Sequence, residues 1–503
     1  MTKEMIDNQD VLFAFDDYSI EGSRGVQLDM VSPEKYEGNP IVARGVKGDP
    51  DDAGCCYLSV VYDQGAWRMW YLAQFTSSWT ERRVAYAESD DGISWRKPKL
   101  GLVEHGGNKQ NNFVRTIRGL GDVAVMCDPQ APPEHRYIMV GSDMSWYTTW
   151  SPDGIPMARI DVSADGYNWT PLQDEPGIIP QVNEIGTIYR FRGNYHVGGQ
   201  QSSPIIRLPL QEDMPINLAP RTFVIWRSPR IDRWPIECTK AFFKPMRSSS
   251  PYLRGWDGEQ VHLGASVKAY RNVCVGIYGQ WHHPSIYDEE EGLVYNGPLV
   301  SVDLGCVLSN DGLHYREPAP GFTFIKRDQE MKWDRDLKEN RYQSNILLMQ
   351  SSMINTEKLT HIYYVASPPG GNSESAKKAN GGNNIGLATL GRDRFGYLSL
   401  LDDHNPGQLV TRSLSYNDKT KLYVNADVPA GSSLQVYLLD EHGLDVLPGY
   451  GQADGGQVTE SGLDAEVIWK HKPFLPLGQP FKIRCEIKGK SRVFALYLRD
   501  HPG

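Results

Sequence analysis

Short apolar runs, some alternating with polar residues and some continuous, follow one another along most of the chain. CYLSVVYD, AWRMWYLAQ and RVAYAES come first, then DVAVMCDP, HRYIMVGS and ARIDVSA. They are followed by IGTIYRF, NYHVGGQ and TFVIWRS, then QVHLGASVKAY, NVCVGIYGQW and VDLGCVLS, and last NILLMQSSM, HIYYVAS and NIGLATL. Their period of two and their β-branched and aromatic content predict strands. No long amphipathic helical pattern interrupts them, so the fold class is all-β.

The strands fall into groups because a turn recurs. RVAYAESDDGISW (Arg83 to Trp95) ends in Ser-x-Asp-Gly-x-x-Trp, and the same turn returns at Ser163–Trp169 (SADGYNW) and Ser309–Tyr315 (SNDGLHY). A worn copy stands at Ser228–Trp234 (SPRIDRW), and a last strand runs from Ile385 to Leu398. With Ser89, Ser163, Ser228, Ser309 and Leu390 as equivalent points, the spacings are 74, 65, 81 and 81 residues. Repeats of that length predict a five-bladed β-propeller with four antiparallel strands per blade. From about Asp402 the repeat stops, and hairpin signals at short intervals predict a C-terminal β-sandwich. The expected division is 1–50 as an extended segment packing on the propeller, 51–400 as the propeller and 401–503 as the sandwich. GGNSESAKKANGGNN (Gly370 to Asn384) reads as a long polar loop.

Composition narrows the partners. Gly and Pro together number 82 (49 + 33), which suits many strands joined by tight turns. A net charge of −10 argues against nucleic acid or an anionic membrane as partner. Of the 7 Cys, most lie inside apolar strands, and no Cys/His spacing suggests a metal site. MTKEMIDNQD is not an apolar leader and no run reaches the length of a membrane span, so the expected location is cytoplasmic. An apolar sandwich surface could build a homo-oligomer.

In a propeller the innermost strand of each blade lines the axis, and its start shares a face with the loop after the second strand. Those loops hold Trp79, Trp146, Tyr147, Trp150, Trp281, His282 and His283. Aromatic rings interleaved with Gln, Ser, Thr and His suit a carbohydrate, whose CH faces stack and whose hydroxyls need planar polar partners. At the inner-strand starts stand Asp51 and Asp52, Asp122, and Glu184; blade four offers Gln260 and His262, and blade five Gln343. Like charges gathered at an axis push their pKa values apart, giving an acid beside ionised partners. That pair can cleave a glycosidic bond. The plainer expectation for each carboxylate is a solvated turn residue, and DPDDAG around Asp52 is also an ordinary loop. Asp128 reads as hairpin-turn chemistry, and Asp16 and Asp17 stand in reserve for the blade-one role.

This plan resembles the five-bladed propeller glycoside hydrolases, the fructosidase-type family 32 and the arabinosidase-type family 43. In family 32 a β-sandwich follows the propeller, and KLYVNADVPAGSSLQVYLLDEHG is similar to such modules. Those families place an Asp, an Asp and a Glu at the openings of the first three blades. By position the resemblance implies Asp52, with Asp51 beside it, as nucleophile or base. It implies Asp122 as the residue that orients the sugar and tunes the acid, and Glu184 as general acid/base. Asn112, Trp146, Gln200, His262, Trp281, His282 and Gln343 would bind hydroxyls or stack. No cofactor is required. A non-catalytic glycan-binding propeller and a phosphorylase on the same scaffold stay open; the latter needs cations near the acid, for which Arg115, His262 and Arg341 are candidates.

Overall fold

A computed structural model describes residues 9–74, 82–116, 120–143, 157–173, 179–180, 184–202, 221–235, 237–244, 260–282, 285–288, 292–295, 301–327, 346–367, 383–402 and 405–501. Among these residues the chain is all-β, and its only helical pieces are 3-10 turns at Pro133–His135 and Gln452–Asp454.

Five inner strands form the propeller's wall: Gly54–Asp63, Leu120–Cys127, Glu184–Phe191, Gln260–Ala269 and Ile346–Asn355. Each packs against the next, and the fifth packs against the first, so the ring closes. Every inner strand pairs antiparallel with the strand that follows it, and each of these ladders carries a register shift near its start. The shifts fall at Cys56/Ser59, Leu120/Asp122, Ile185/Thr187, His262/Ala265 and Leu348/Ser352. On the axial side of the inner strands, hydroxyls of neighbouring blades accept backbone N–H groups. Val125 N–H donates to Ser59 Oγ (2.9 Å), Val60 N–H to Ser352 Oγ (2.8 Å) and Val267 N–H to Thr187 Oγ1 (3.2 Å).

The repeated turn is the second tie between blades. In all three full copies the Ser hydroxyl accepts the Gly N–H at 2.9 Å. The Asp Oδ1 accepts the next two N–H groups at 2.7–2.8 Å, closing an Asx turn. The Gly carbonyl then accepts a donor from the preceding blade. Tyr363 OH donates to Gly92 O (2.8 Å), Trp70 Nε1 to Gly166 O (2.8 Å) and Tyr189 OH to Gly312 O (2.7 Å). The worn copy lacks the Gly, and there Ser228 Oγ donates to Arg233 O instead. The blade-five counterpart, around Asp393, receives Tyr270 OH from blade four at 2.5 Å.

The sandwich has two sheets. One runs Val26–Met30, Gly396–Leu400, Arg492–Asp500, Thr420–Asp427, Gly462–Glu466, with Asp10–Phe13 also on Arg492–Asp500. The other runs Ile20–Arg24, Gly407–Thr411, Lys482–Lys488, Ser433–Leu439, Gln457–Val458. Leu12, Leu496 and Leu498 face the core between the sheets, while Val11, Phe13, Ala495 and Tyr497 face blades four and five. Strands buried on both faces must be apolar at successive positions, hence VLFAF and VFALYL.

The first fifty residues, expected to pack on the propeller as a unit, divide between the two domains. Strands within 10–30 complete the sandwich, whereas Glu34–Lys35 and Val42 pair with Asn384–Gly391 as the outer edge of blade five. The sandwich also takes Gly396–Leu400, ahead of the expected boundary at 401. Polar runs without strong periodicity give no sign of which distant edge they will meet.

Candidate functional site

At the axial end where the inner strands begin, blade three places Glu184 directly opposite Gln200 in the antiparallel ladder. Gln200 Nε2 donates to Glu184 Oε2 at 2.8 Å, and Gln200 Oε1 accepts the Leu263 N–H of blade four at 2.8 Å. The backbone is tight here. A Cβ at Gly199 would lie 1.8 Å from the Glu184 carbonyl oxygen, and one at Gly264 would lie 2.9 Å from that of Gly199. Leu263 and Gly264 both take positive φ, +62° and +79°, in the blade-four bulge.

Arg221 heads the third strand of blade three. Its Nη1 reaches Gln200 Oε1 at 3.5 Å and His262 Nδ1 at 2.6 Å. A guanidinium only donates, so His262 accepts through an unprotonated Nδ1. Burial, and then the Arg221 charge, hold its pKa well below the usual imidazole value. The Arg221 guanidinium lies 3.4 Å from the Trp281 ring centroid, and His262 meets the same ring edge-on at 4.5 Å. Trp281 is 4% exposed. Buried there, it backs Arg221 and His262, whereas the sequence reading has it stacking on a sugar.

His282 Nε2 lies 3.0 Å from Asp303 Oδ2, and Arg327 bonds the same carboxylate through its N–H (2.6 Å) and its guanidinium. Burial resists ionisation of Asp303, but these donors outweigh it and its pKa lies below the usual value. Asp122, at the bulge that opens the blade-two inner strand, is wholly buried on the strand adjacent to that of Glu184.

Blade one differs from expectation. Asp52 Oδ2 accepts the Gly48 N–H (2.9 Å) within a tight turn, the ordinary role of Asp in such a loop. Its neighbour Asp51 is the buried one, accepting from Tyr71 OH (2.9 Å), Lys97 Nζ (2.5 Å) and Cys55 Sγ (3.4 Å). Burial, with the Asp51 charge contributing, pushes the Cys55 thiol and the Tyr71 phenol upward, so both remain proton donors. Asn112 gives its amide hydrogens to Tyr71 OH (2.9 Å) and Tyr86 O (2.7 Å), leaving none for a sugar hydroxyl.

Other candidates are tied elsewhere. Arg115 forms two bonds to Asp161 (3.0 and 3.1 Å). Asp16 and Asp17 join Arg316 on the outer side of blade four. Trp146 and Gln343, with Trp79, Tyr147, Trp150, His283 and Arg341, lie outside the described residues. Arg221 and Tyr71 were missed. The only sequence signal for Arg221 was a cation opening the apolar run TFVIWRS; Tyr71 gave none.

A cavity of about 1190 Å³ opens at the opposite end of the axis, where the inner strands finish. Its carboxylates are locked between blades: Asp63 takes two bonds from Arg136 (2.7 and 2.9 Å), and Asp128 two from Arg190 (3.1 Å each). Asp128 also accepts the N–H of Gln130 (3.0 Å), as hairpin-turn chemistry. The side chains of Glu184, Gln200, Arg221 and His262 converge at the other end, which is the candidate site.

Searches of protein-family models and of curated proteins find no match. Among solved structures, a glycosyl hydrolase from Bacteroides ovatus is 12% identical at a TM-score of 0.43, covering 72% of this chain and 94% of its own. A structure from the GH130 family of mannoside phosphorylases and glycoside hydrolases is 12% identical at 0.40, covering 72% and 94%. A family 43 arabinoxylan arabinofuranohydrolase from Bacillus subtilis is 8% identical at 0.38, covering 94% and 99%. The architecture and the site rest on the strand pairing and side chains described above, not on these likenesses.

Proposed function

We propose that the protein is a glycan-active enzyme that breaks a terminal glycosidic bond, with Glu184 as the acid/base carboxyl. The observation that supports this most is the position of Glu184 at the head of an inner strand, hydrogen-bonded by a fixed amide and next in the ring to the buried Asp122. Glu184 would protonate the departing glycosidic oxygen. A second carboxylate would attack the anomeric carbon or take a proton from attacking water. Asp122 is the candidate nearest in the ring order, and Asp51 replaces Asp52 as the blade-one candidate because its carboxylate is buried while that of Asp52 serves a turn. A furanoside is the proposed substrate class, from the resemblance alone.

Arg221, which reaches Gln200 and also donates to His262, favours a second reading in which phosphate replaces water as the acceptor. One assay addresses both. Aryl-furanosides, fructans and arabinan oligosaccharides are offered with and without inorganic phosphate, and free sugar and sugar phosphate are measured. The expected result is free sugar from at least one substrate, reduced roughly 10²–10⁴-fold in Glu184→Gln. Sugar phosphate formed only with phosphate present would establish the second reading. No turnover, with binding detected by calorimetry, would leave a glycan-binding propeller.

A further inference from the structure

The amide of Gln200 has one orientation available to it. Its oxygen must face the Leu263 N–H, a donor presented at 2.8 Å by the left-handed bulge of blade four. The nitrogen therefore faces Glu184, and the contact to Oε2 at 2.8 Å is an N–H donated to that oxygen. A carbonyl-type oxygen accepts an N–H better than a hydroxyl oxygen does, so the contact favours a proton on Oε1 over one on Oε2. We infer that Gln200 is the positioning residue of this site, directing the exchangeable proton of Glu184 towards Oε1 and tying its carboxyl to the blade-four bulge. The inference rests on the proposed acid/base role of Glu184 for its functional meaning, but the effect of the donated hydrogen bond on Glu184 can be measured without turnover.

Two consequences follow from the chemistry. An N–H donated to a carboxylate favours its ionised form, so Gln200 resists protonation of Glu184 and leaves it an acid ready to release its proton. The bulge also becomes part of the machinery, because any shift of Leu263 is passed by one rigid amide to the carboxyl. Among the described residues, Asp122 on blade two, Arg221 on blade three and His262 on blade four are titratable or charged groups on the elements around this pair, and none is altered in the test.

The test uses full-length protein labelled with [δ-¹³C]glutamate, the Glu184 resonance being the one absent from Glu184→Gln. Its titration is followed in wild type, Gln200→Leu and Gln200→Glu. Gln200→Leu removes the donor, and the Glu184 midpoint is expected to rise by about one pH unit. Gln200→Glu keeps an oxygen for Leu263 but sets a second carboxyl against Oε2. The two then share a proton, and the apparent midpoint is expected to rise further, as in a carboxyl pair. If the Nε2–H contact contributed nothing, Gln200→Leu would leave the Glu184 midpoint where it is in wild type; that outcome, or a midpoint that does not rise further in Gln200→Glu, overturns the inference. Gln200→Glu also serves if Gln200→Leu does not fold. Where a turned-over substrate is known, the limb of the pH–rate profile that belongs to Glu184 moves with the resonance. If the wild type turns over nothing while the resonance shifts as expected, the proposed function fails and the positioning stands.

Discussion

A single guanidinium arranges much of the site's electrostatics. Arg221 donates to His262 and lies against Trp281, so the imidazole sits beside a permanent positive charge. Protonating His262 there would place two cations 2.6 Å apart, and burial adds to the cost. In Arg221→Ala the His262 midpoint is expected to rise, yet to remain below 6.5 because burial, the larger cause, is still present. Histidine-selective NMR titration against His262→Gln reads it directly; a midpoint that does not move would remove Arg221 from the argument. The same scale explains why the sequence does not separate the two blade-one candidates. Asp51 and Asp52 are adjacent in one loop, and only Tyr71 and Lys97, distant in sequence, decide which of them is buried.

At the scale of elements, the repeated turn was the most legible feature, because Ser, Asp and Gly at fixed offsets each perform a local hydrogen-bonding task. The bulges were not legible, since Cys56–Ser59 and His262–Ala265 share no residue pattern, only a place in the blade. The outer strands were missed for another reason: Trp95–Arg96 and Thr170–Pro171 are two residues long, too short to show a period. The turns also make an acid prediction. Burial works against ionisation of Asp91, but the N–H donors of Ser94 and Ile93 and the hydroxyls of Ser89 and Ser94 lower its pKa to about 2, and Asp165 and Asp311 are lowered likewise. A depressed carboxylate stabilises the fold fully above its unfolded value of 3.8 and ceases to do so as pH falls through its folded value. Melting temperature is therefore expected to drop steeply between pH 4 and 2. The triple variant Asp91→Asn, Asp165→Asn, Asp311→Asn should melt lower at pH 7 and lose much of that slope. An unchanged slope would assign the acid sensitivity to other carboxylates.

At the scale of the molecule, propeller and sandwich share a buried polar joint. Asp393, with φ of +62°, accepts from Tyr270 of blade four, Asn355 of blade five and Tyr497 of the sandwich (2.5–2.9 Å). Beside it the wholly buried Arg392 bonds Asp464 and Glu357 O, and Arg499 shares Asp464. Asp464→Ala would strand buried guanidinium charge, and a loss of about 3–5 kcal/mol is expected by chemical denaturation. Both domains should also unfold in one calorimetric transition. Two resolved transitions, the later one unaffected by Asp464→Ala, would make the sandwich an independent module. The two-domain plan was readable from where the repeat stops. The joint was not, because its members come from five stretches of chain and none has an unusual local sequence.

The pairing of Asp10–Phe13 with Arg492–Asp500 has a consequence for how the protein is made. Asp10 finds its partner at Leu498, so this strand waits for a segment made 488 residues later (498 − 10). At 5–20 residues per second that delay is roughly 25 to 100 s. Through that interval VLFAF, apolar on both faces, is a nascent segment without its native neighbours, and the propeller blades close ring contacts in its presence. Chaperone occupancy during synthesis should therefore concentrate on this segment and end only after Arg492–Asp500 has emerged.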